Sequence, residues 1–295
     1  MKTRAAGHLR LPLALITAFV ALSASAESSL IEQGRAALGR GDSDAAIAVL
    51  EKAVAQDPKS AEARFCLATA YSSKAQASGM IGVAQYGPKA KEGFEQAVAL
   101  DPKNVQARFA LVQMYASAPA IMGGSFDQAF EQAKAIKAID PIVGHRAFAF
   151  VYSQEKKLDL ARKEYADAIR EQPDSPKAHS YFGQYLVSVE KNYRAAFEEF
   201  TTALKVDSTY MAAFYHLGRT AALADTNLAS GEQCLKKYLG YTPKENEPTL
   251  ANAHYWLGAI YEKEGKKAEA KQSYEAALKL NPTLKDASEA LKRVS

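Results

Sequence analysis

Cysteine is nearly absent from this chain of 295 residues. Its two thiols, Cys66 and Cys234, make no disulfide framework. Both fall inside helical patterns far apart in the chain, and both read as small buried apolar residues. Catalytic signatures are missing too. The sequence contains no His-Glu-x-x-His, no Gly-x-Ser-x-Gly and no Gly-x-x-x-x-Gly-Lys-Ser/Thr. The adjacent pair Glu198 and Glu199 would point about 100° apart on a helix, which suits a solvated face and not paired acid–base work. No enzyme, cofactor or metal site is therefore expected.

Apolar runs long enough to cross a bilayer are also lacking. Leu11 to Leu22 is about 12 residues, where a spanning helix needs roughly 20. With Lys2, Arg4 and Arg10 before it and Ala24-Ser25-Ala26 after it, residues 1–26 read as a signal peptide cleaved after Ala26. A periplasmic or secreted protein is expected, with no stable membrane insertion after cleavage, and an uncleaved membrane anchor is the alternative. A strong excess of one charge is missing as well. The formal net charge of +4 falls to +1 once the three basic residues of the signal are set aside, 34 basic against 33 acidic. Basic residues gather on no one stretch, so a nucleic-acid partner is not expected.

Internal repetition is abundant. "DPKSAEARFCLATAY" from Asp57 and "DPKNVQARFALVQMY" from Asp101 are near copies. A head of eleven residues recurs from Glu27, Ala61, Val105, Ile142, Pro176, Met211 and Ala251. Its third, seventh, eighth and eleventh positions are mostly small or apolar, as in Ala253, Leu257, Gly258 and Tyr261, which is the spacing of a packed helix face. Gly183, Gly218 and Gly258 share the eighth slot. A mid-helix glycine costs roughly 1 kcal/mol against alanine, so its return there suggests close approach by a neighbouring helix. A second helix follows each head, with Ala161, Tyr165 and Ala168 at the same slots as Ala270, Tyr274 and Ala277. Pro58, Pro102, Pro141, Pro173 and Pro282 terminate these second helices.

These heads resemble the A-x-x-W-x-x-L-G-x-x-Y pattern of tetratricopeptide repeats, and the second helices resemble that family's A-x-x-x-F/Y-x-x-A-x-x-x-x-P. The resemblance covers residues 27–283 and implies an all-α, right-handed α-solenoid of seven helix pairs, with 284–295 as a C-terminal capping helix. The family's tryptophan slot departs from the pattern: it holds Leu30, Arg64, Arg108, His145, His179, Phe214 and His254. The three histidines at this slot, and His216 nearby, read as packed side chains filling an aromatic's place, since no Cys, Asp or Glu clusters with them at ligand spacing.

The resemblance further implies that first helices line a concave groove. Residues at their second, fifth, ninth and twelfth positions would then face a partner: Phe65, Thr69, Phe109, Gln113, Arg146, Phe150, Gln184, Tyr215, Arg219, Tyr255 and Glu262. Aromatic and arginine anchors are what protein interfaces favour. The competing expectation is that several of these aromatics only pack against the next repeat. Arg146 and Arg219 are the only cations in the set, too few for the family's chaperone-type carboxylate clamp.

Two expanded turns break the regularity. Ala37 to Ala46, Tyr152 to Ala161 and Tyr261 to Ala270 are each nine residues, but Tyr71 to Ala90 is 19 and Tyr115 to Ala129 is 14. The insertions, "SGMIGVAQYGP" and "APAIMGGSFDQA", read as glycine-rich loops carrying Met80, Ile81, Ile121 and Met122. Either they fold back and cover each other as a small auxiliary core, or they protrude as an apolar contact surface. The double glycine is no phosphate loop, because a helix precedes it and no lysine follows. Ser125 or Asp127 should cap the next helix. The function expected is a non-catalytic scaffold binding a protein or peptide of the bacterial cell envelope through the groove and these loops. A small-ligand or cell-wall glycan binder is the alternative, and the oligomeric state is not read from the sequence.

Overall fold

The computed structural model describes residues 27–244 and 247–295. The signal-peptide expectation for 1–26 lies outside the described residues. Every regular element described is helical. α1 covers 27–39. It is followed by α2 (Ser43–Gln56), α3 (Ala61–Ala77), α4 (Gly79–Leu100) and α5 (Val105–Ser117). Then come α6 (Phe126–Ile139), α7 (Pro141–Gln154), α8 (Leu158–Glu171), α9 (Pro176–Tyr185) and α10 (Tyr193–Val206). The chain ends with α11 (Met211–Ala224), α12 (Leu228–Leu239), α13 (Leu250–Lys263), α14 (Lys267–Leu280) and α15 (Lys285–Val294). No described helix is long and apolar enough to cross a membrane.

Two compact units divide within α4, one ending at Gly93 and the other running from Phe94 to Ser295 with Gly39–Asp42. In the first unit, Ile31, Leu50, Ala53, Ala63, Cys66 and Ala70 form the core, with Phe65 and Leu67 packed against it. The second unit has a core of Ala161, Tyr165, Phe182, Tyr185, Leu186 and Phe200. Further along it, Leu235, Tyr238, Leu257, Ile260 and Tyr274 form another. The thiols are buried (Cys66) and half-buried (Cys234), and burial pushes the Cys234 thiol up.

The eighth-slot glycines are where paired helices touch. A Cβ at Gly183 would stand 2.6 Å from Phe200, at Gly218 2.3 Å from Leu235, and at Gly258 2.6 Å from Tyr274. Gly34 meets Leu50 in the same way at 2.5 Å. In each pair the first helix supplies the gap and the second fills it with a large apolar side chain.

Turns within pairs repeat as well. Gly41, Lys156 and Gly265 each take a left-handed conformation, at φ 75, 63 and 75°. Where one residue more separates the two helices, the backbone absorbs it locally. Leu186 to Ala196 is ten residues, and α9 closes in a π-turn, Leu186–Glu190, with Lys191 left-handed. Ala221 to Gly231 is also ten, and there Asp225 and Asn227 are left-handed instead.

The larger insertions correct the loop expectation. "SGMIGVAQYGP" is helical: α3 runs to Ala77, Gly79 turns at φ 63°, and α4 then passes through Met80, Ile81 and Pro88. Gly82 makes this possible, since a Cβ there would lie 2.8 Å from the Ala75 carbonyl oxygen. The second insertion is an open turn built on a short 3-10 helix, Ala120–Met122, closed by Gly123 at φ 85°. Ser125 is the cap of α6 and accepts from the Gln128 amide at 3.3 Å. The apolar side chains of the two insertions are exposed: Met80 91%, Ile81 80%, Ile121 96% and Met122 52%. Glycines and helix-long spacing let each segment satisfy its own backbone without burying these side chains.

Candidate functional site

The first helices of the second unit, α5, α7, α9, α11 and α13, carry two kinds of polar and aromatic residues with opposite fates. At the fourth slot of α5, α7 and α9 stand side chains that tie the first helix to its surroundings. Arg108 Nε donates to the Pro102 carbonyl at 2.9 Å, and its Nη1 donates to Gln132 Oε1 at 2.7 Å. His179 repeats this geometry, with Nε2 3.2 Å from the Pro173 carbonyl and Nδ1 2.8 Å from Glu199 Oε2. His145 is buried, 2.7 Å from Glu164 Oε2 through Nδ1 and 3.1 Å from Glu171 Oε2 through Nε2. Its contact holds the Glu171 carboxyl below the ordinary value. In the first unit Arg64 reaches the Pro58 carbonyl at 2.8 Å in the same manner. The slot is thus a hydrogen-bonded staple, where the sequence suggested apolar packing. No group of three or more His, Cys, Asp or Glu side chains able to hold a metal occurs among the described residues.

The next positions along the same helices form the candidate site. Arg146 of α7 lies between two rings, its guanidinium carbon 4.5 Å from the centroid of Phe109 on α5 and 4.5 Å from that of Tyr181 on α9. Phe150 leans on Phe109 at 6.3 Å. Lys177 lies 5.8 Å from the Tyr181 ring and pairs with Asp140 at 2.7 Å. Burial pushes the Asp140 carboxyl up, but the bond from Lys177 and the Val143 amide outweigh it and hold that carboxyl low. Further along, the Arg219 guanidinium carbon lies 5.6 Å from the Trp256 ring, and Trp256 Nε1 donates to the Tyr215 hydroxyl at 3.1 Å. Stacking of a guanidinium on an aromatic face contributes about 0.5–1 kcal/mol at exposed sites and more where water is excluded.

Among the expected groove residues, the structure brings together Phe109, Arg146 and Phe150, and separately Tyr215, Arg219 and Tyr255. Tyr215 is 6% exposed, a core residue against Tyr238 at 5.4 Å, because its ring fills the gap between α11 and α12. Burial pushes its hydroxyl up to about 12. Tyr255 stands edge-on to Trp256 at 4.8 Å and packs on the same core. Glu262 is occupied, accepting from Arg293 Nε at 3.0 Å and Tyr274 at 2.7 Å. Gln113 is exposed, and Gln184 is half-buried with Nε2 3.4 Å from Ser180 Oγ. In the first unit Phe65 leans on the core and Thr69 donates to the Phe65 carbonyl at 2.9 Å.

Sequence reasoning missed Tyr181, Trp256 and Tyr210. The first two sit at the sixth head position, one residue past a slot counted as facing inward, and an aromatic there was the available signal. Burial, reinforced by Tyr181, pushes the Tyr210 hydroxyl up to about 12. His216, also at the sixth position, is buried with its ring stacked on Phe200 at 5.2 Å, and its Nδ1 finds no hydrogen-bond partner. Burial first, and then the charges of Arg219 and Arg146, drive its pKa down to about 3.

Two segments match family models of the tetratricopeptide repeat, residues 31–74 and 251–284. Among solved structures the fold is similar to yeast Tom70, at 16% identity over 85% of this chain and 59% of that one, with a TM-score of 0.54. It is also similar to a human IFIT1 dimer solved with PPP-AAAA, at 21% identity over 87% of this chain and 60% of that one, TM-score 0.54. A tetratricopeptide repeat protein from Parabacteroides merdae aligns along 92% of this chain and 99% of its own length, at 16% identity and a TM-score of 0.50. This chain spans about half to three fifths of the first matched structures, from 47% to 59% of their lengths. At such identities the likeness speaks for the fold. That fold is the all-α solenoid. The two matched segments are tetratricopeptide repeats, and the architecture is one that generally presents protein-interaction surfaces.

Proposed function

We propose that this chain is a non-catalytic scaffold of the bacterial cell envelope, exported by the segment 1–26, whose seven repeats dock a protein or peptide. The observation that supports this reading most is the aromatic and arginine face of α5, α7 and α9, where Phe109, Arg146 and Tyr181 stack from three successive first helices. Half-buried aromatics with arginine are the residues on which binding energy concentrates. Such a face is already formed before a partner arrives, so little ordering cost is left to binding. The exposed apolar side chains Met80 and Ile81 on α4, and Ile121 and Met122 on the 3-10 turn, supply further contact points, each within its own unit.

Capture from periplasmic extract on the immobilised chain tests the reading. A specific partner should be retained, and retention should fall at least tenfold when Phe109 and Phe150 are changed together to Ala. Retention undiminished by that pair of changes, with the fold intact by circular dichroism, would remove the face from the mechanism. Ile121→Glu, at a side chain with almost no packing to lose, asks the same of the turn.

A further inference from the structure

Beyond Met1 the chain has four methionines, and the fold divides them evenly. Met114 and Met211 are half-buried, the latter packed against the core of the last repeats. Met80 is 91% and Met122 52% exposed, and each stands beside an isoleucine in an expanded turn. Neither side chain supports the fold around it. Met80 opens α4, where the Gly82 amide closes the first turn on the Ser78 carbonyl at 3.4 Å. The Met122 turn closes on itself. Its Met122 and Gly124 amides donate to the Pro119 carbonyl at 2.8 and 3.1 Å, and the Ser125 amide donates to the Tyr115 carbonyl at 2.9 Å. Both side chains also lie in stretches free of charged residues, 75–88 and 109–126, so a polar group gained at either sulfur changes the character of its tip.

We propose that Met80 and Met122 are sites of reversible oxidation by hydrogen peroxide, each converting an apolar contact point into a polar one. The thioether sulfur attacks one peroxide oxygen. An S–O bond forms, the O–O bond breaks, and the departing hydroxide takes the proton left on the transferred oxygen to become water. The sulfur gives up two electrons, and the peroxide is reduced. The sulfoxide is polar and chiral, and paired reductases, one for each epimer, return it to the thioether. Position decides what the change does. In a core the added oxygen would be buried without a partner, which is damage. At Met80 and Met122 it meets solvent, so the fold is kept and only the surface is rewritten. Ile81 and Ile121 carry no sulfur, so each tip keeps part of its apolar contact. The consequence for binding rests on the docking reading above, whereas the modification stands on exposure and backbone closure alone. The cell-envelope placement in that reading puts both sulfurs in an oxidising compartment.

Timed exposure of the full chain to dilute hydrogen peroxide, stopped with catalase and read by peptide mass spectrometry, tests the assignment. Met80 and Met122 should gain oxygen about fivefold or more faster than Met114 and Met211, with the helical circular dichroism spectrum unchanged. In concentrated urea all four should react alike, which ties the selectivity to the fold. Both sulfoxide reductases, supplied with a dithiol, should remove the added oxygen from Met80 and Met122. Similar rates at all four sites in the folded chain would overturn the proposal. So would loss of helix as Met80 and Met122 react, or sulfoxides that the reductases leave in place. Capture from periplasmic extract then measures the consequence. Retention should fall about threefold or more on the oxidised chain, and the Met80→Gln, Met122→Gln variant should show the same fall without peroxide. The Met80→Leu, Met122→Leu variant keeps the apolar contact and should hold its retention through the same treatment. A partner retained equally by all of these sinks the change from apolar to polar contact. No partner retained by the untreated chain sinks the docking reading instead, and the oxidation rates still decide the modification.

Discussion

His145 and Arg146 are adjacent in α7, yet one is sealed and the other waits. His145 is 1% exposed, with a glutamate at each ring nitrogen. Arg146 has rings where its neighbour has carboxylates. One step along the helix, a rotation of about 100°, separates internal fastening from an open face. The comparison shows that a polar residue in a first helix is not evidence of a binding site. What matters is whether the second helix of the same pair supplies its counter-group. Glu164 and Glu199 do so at the fourth slot, and nothing comparable reaches the fifth.

The largest effect should come from unfastening the sealed side. His145→Ala leaves a cavity beside the largely buried Glu164 carboxylate, and a loss of about 2–4 kcal/mol in unfolding free energy is expected from urea titration. If this residue were merely a surface polar group, the change would be within about 0.5 kcal/mol. Gly218→Leu asks whether tight pairing underlies both faces. With Leu235 already against that position, overpacking should cost about 2–3 kcal/mol, and thermal unfolding measures it.

His216 gives the comparison a pH axis. Its folded pKa of about 3 lies below the ordinary value of 6.5, so between these values the unfolded chain takes up the proton and the folded chain does not. The His216 contribution is therefore intact above pH 6.5 and is lost as pH falls toward 3, with a slope reaching about 1.4 kcal/mol per pH unit. His216→Phe, which preserves the stack on Phe200, should flatten that part of the stability profile. An unchanged profile would mean the imidazole is reached by solvent.

Smaller again is the expected effect of Arg146→Ala on stability, about 1 kcal/mol from two stacking contacts, well below that of His145→Ala. Equal losses from the two variants would erase the distinction between sealed and open faces. The mildest change is favourable. Lys156→Gly relieves a left-handed residue at the turn where Gly41 and Gly265 stand, and should raise stability by roughly 0.5–1 kcal/mol.

Much of the fold was legible because repeat slots are short-range. A head of eleven residues sets its own helix face, and Gly183, Gly218 and Gly258 announce close approach through the absence of a side chain. Even the π-turn at Leu186–Glu190 left a trace, a spacing of ten where nine is regular. The insertion before Ala90 was misread because glycine and proline commonly mark loops. Here Gly82 instead let α4 cross Ala75 closely, and Pro88 was carried inside the helix.

The sequence by itself determined helix pairing and the small-residue seams, and it marked Phe109, Arg146 and Arg219 as candidates. Those follow from periodicity within about forty residues of chain. Only the tertiary structure decided that Tyr181 would close over Arg146, that Tyr215 would sink into the core, and that a histidine would become a staple. These outcomes depend on how one helix pair is rotated against the next. That rotation is set by side chains meeting across repeats, and no single repeat contains them.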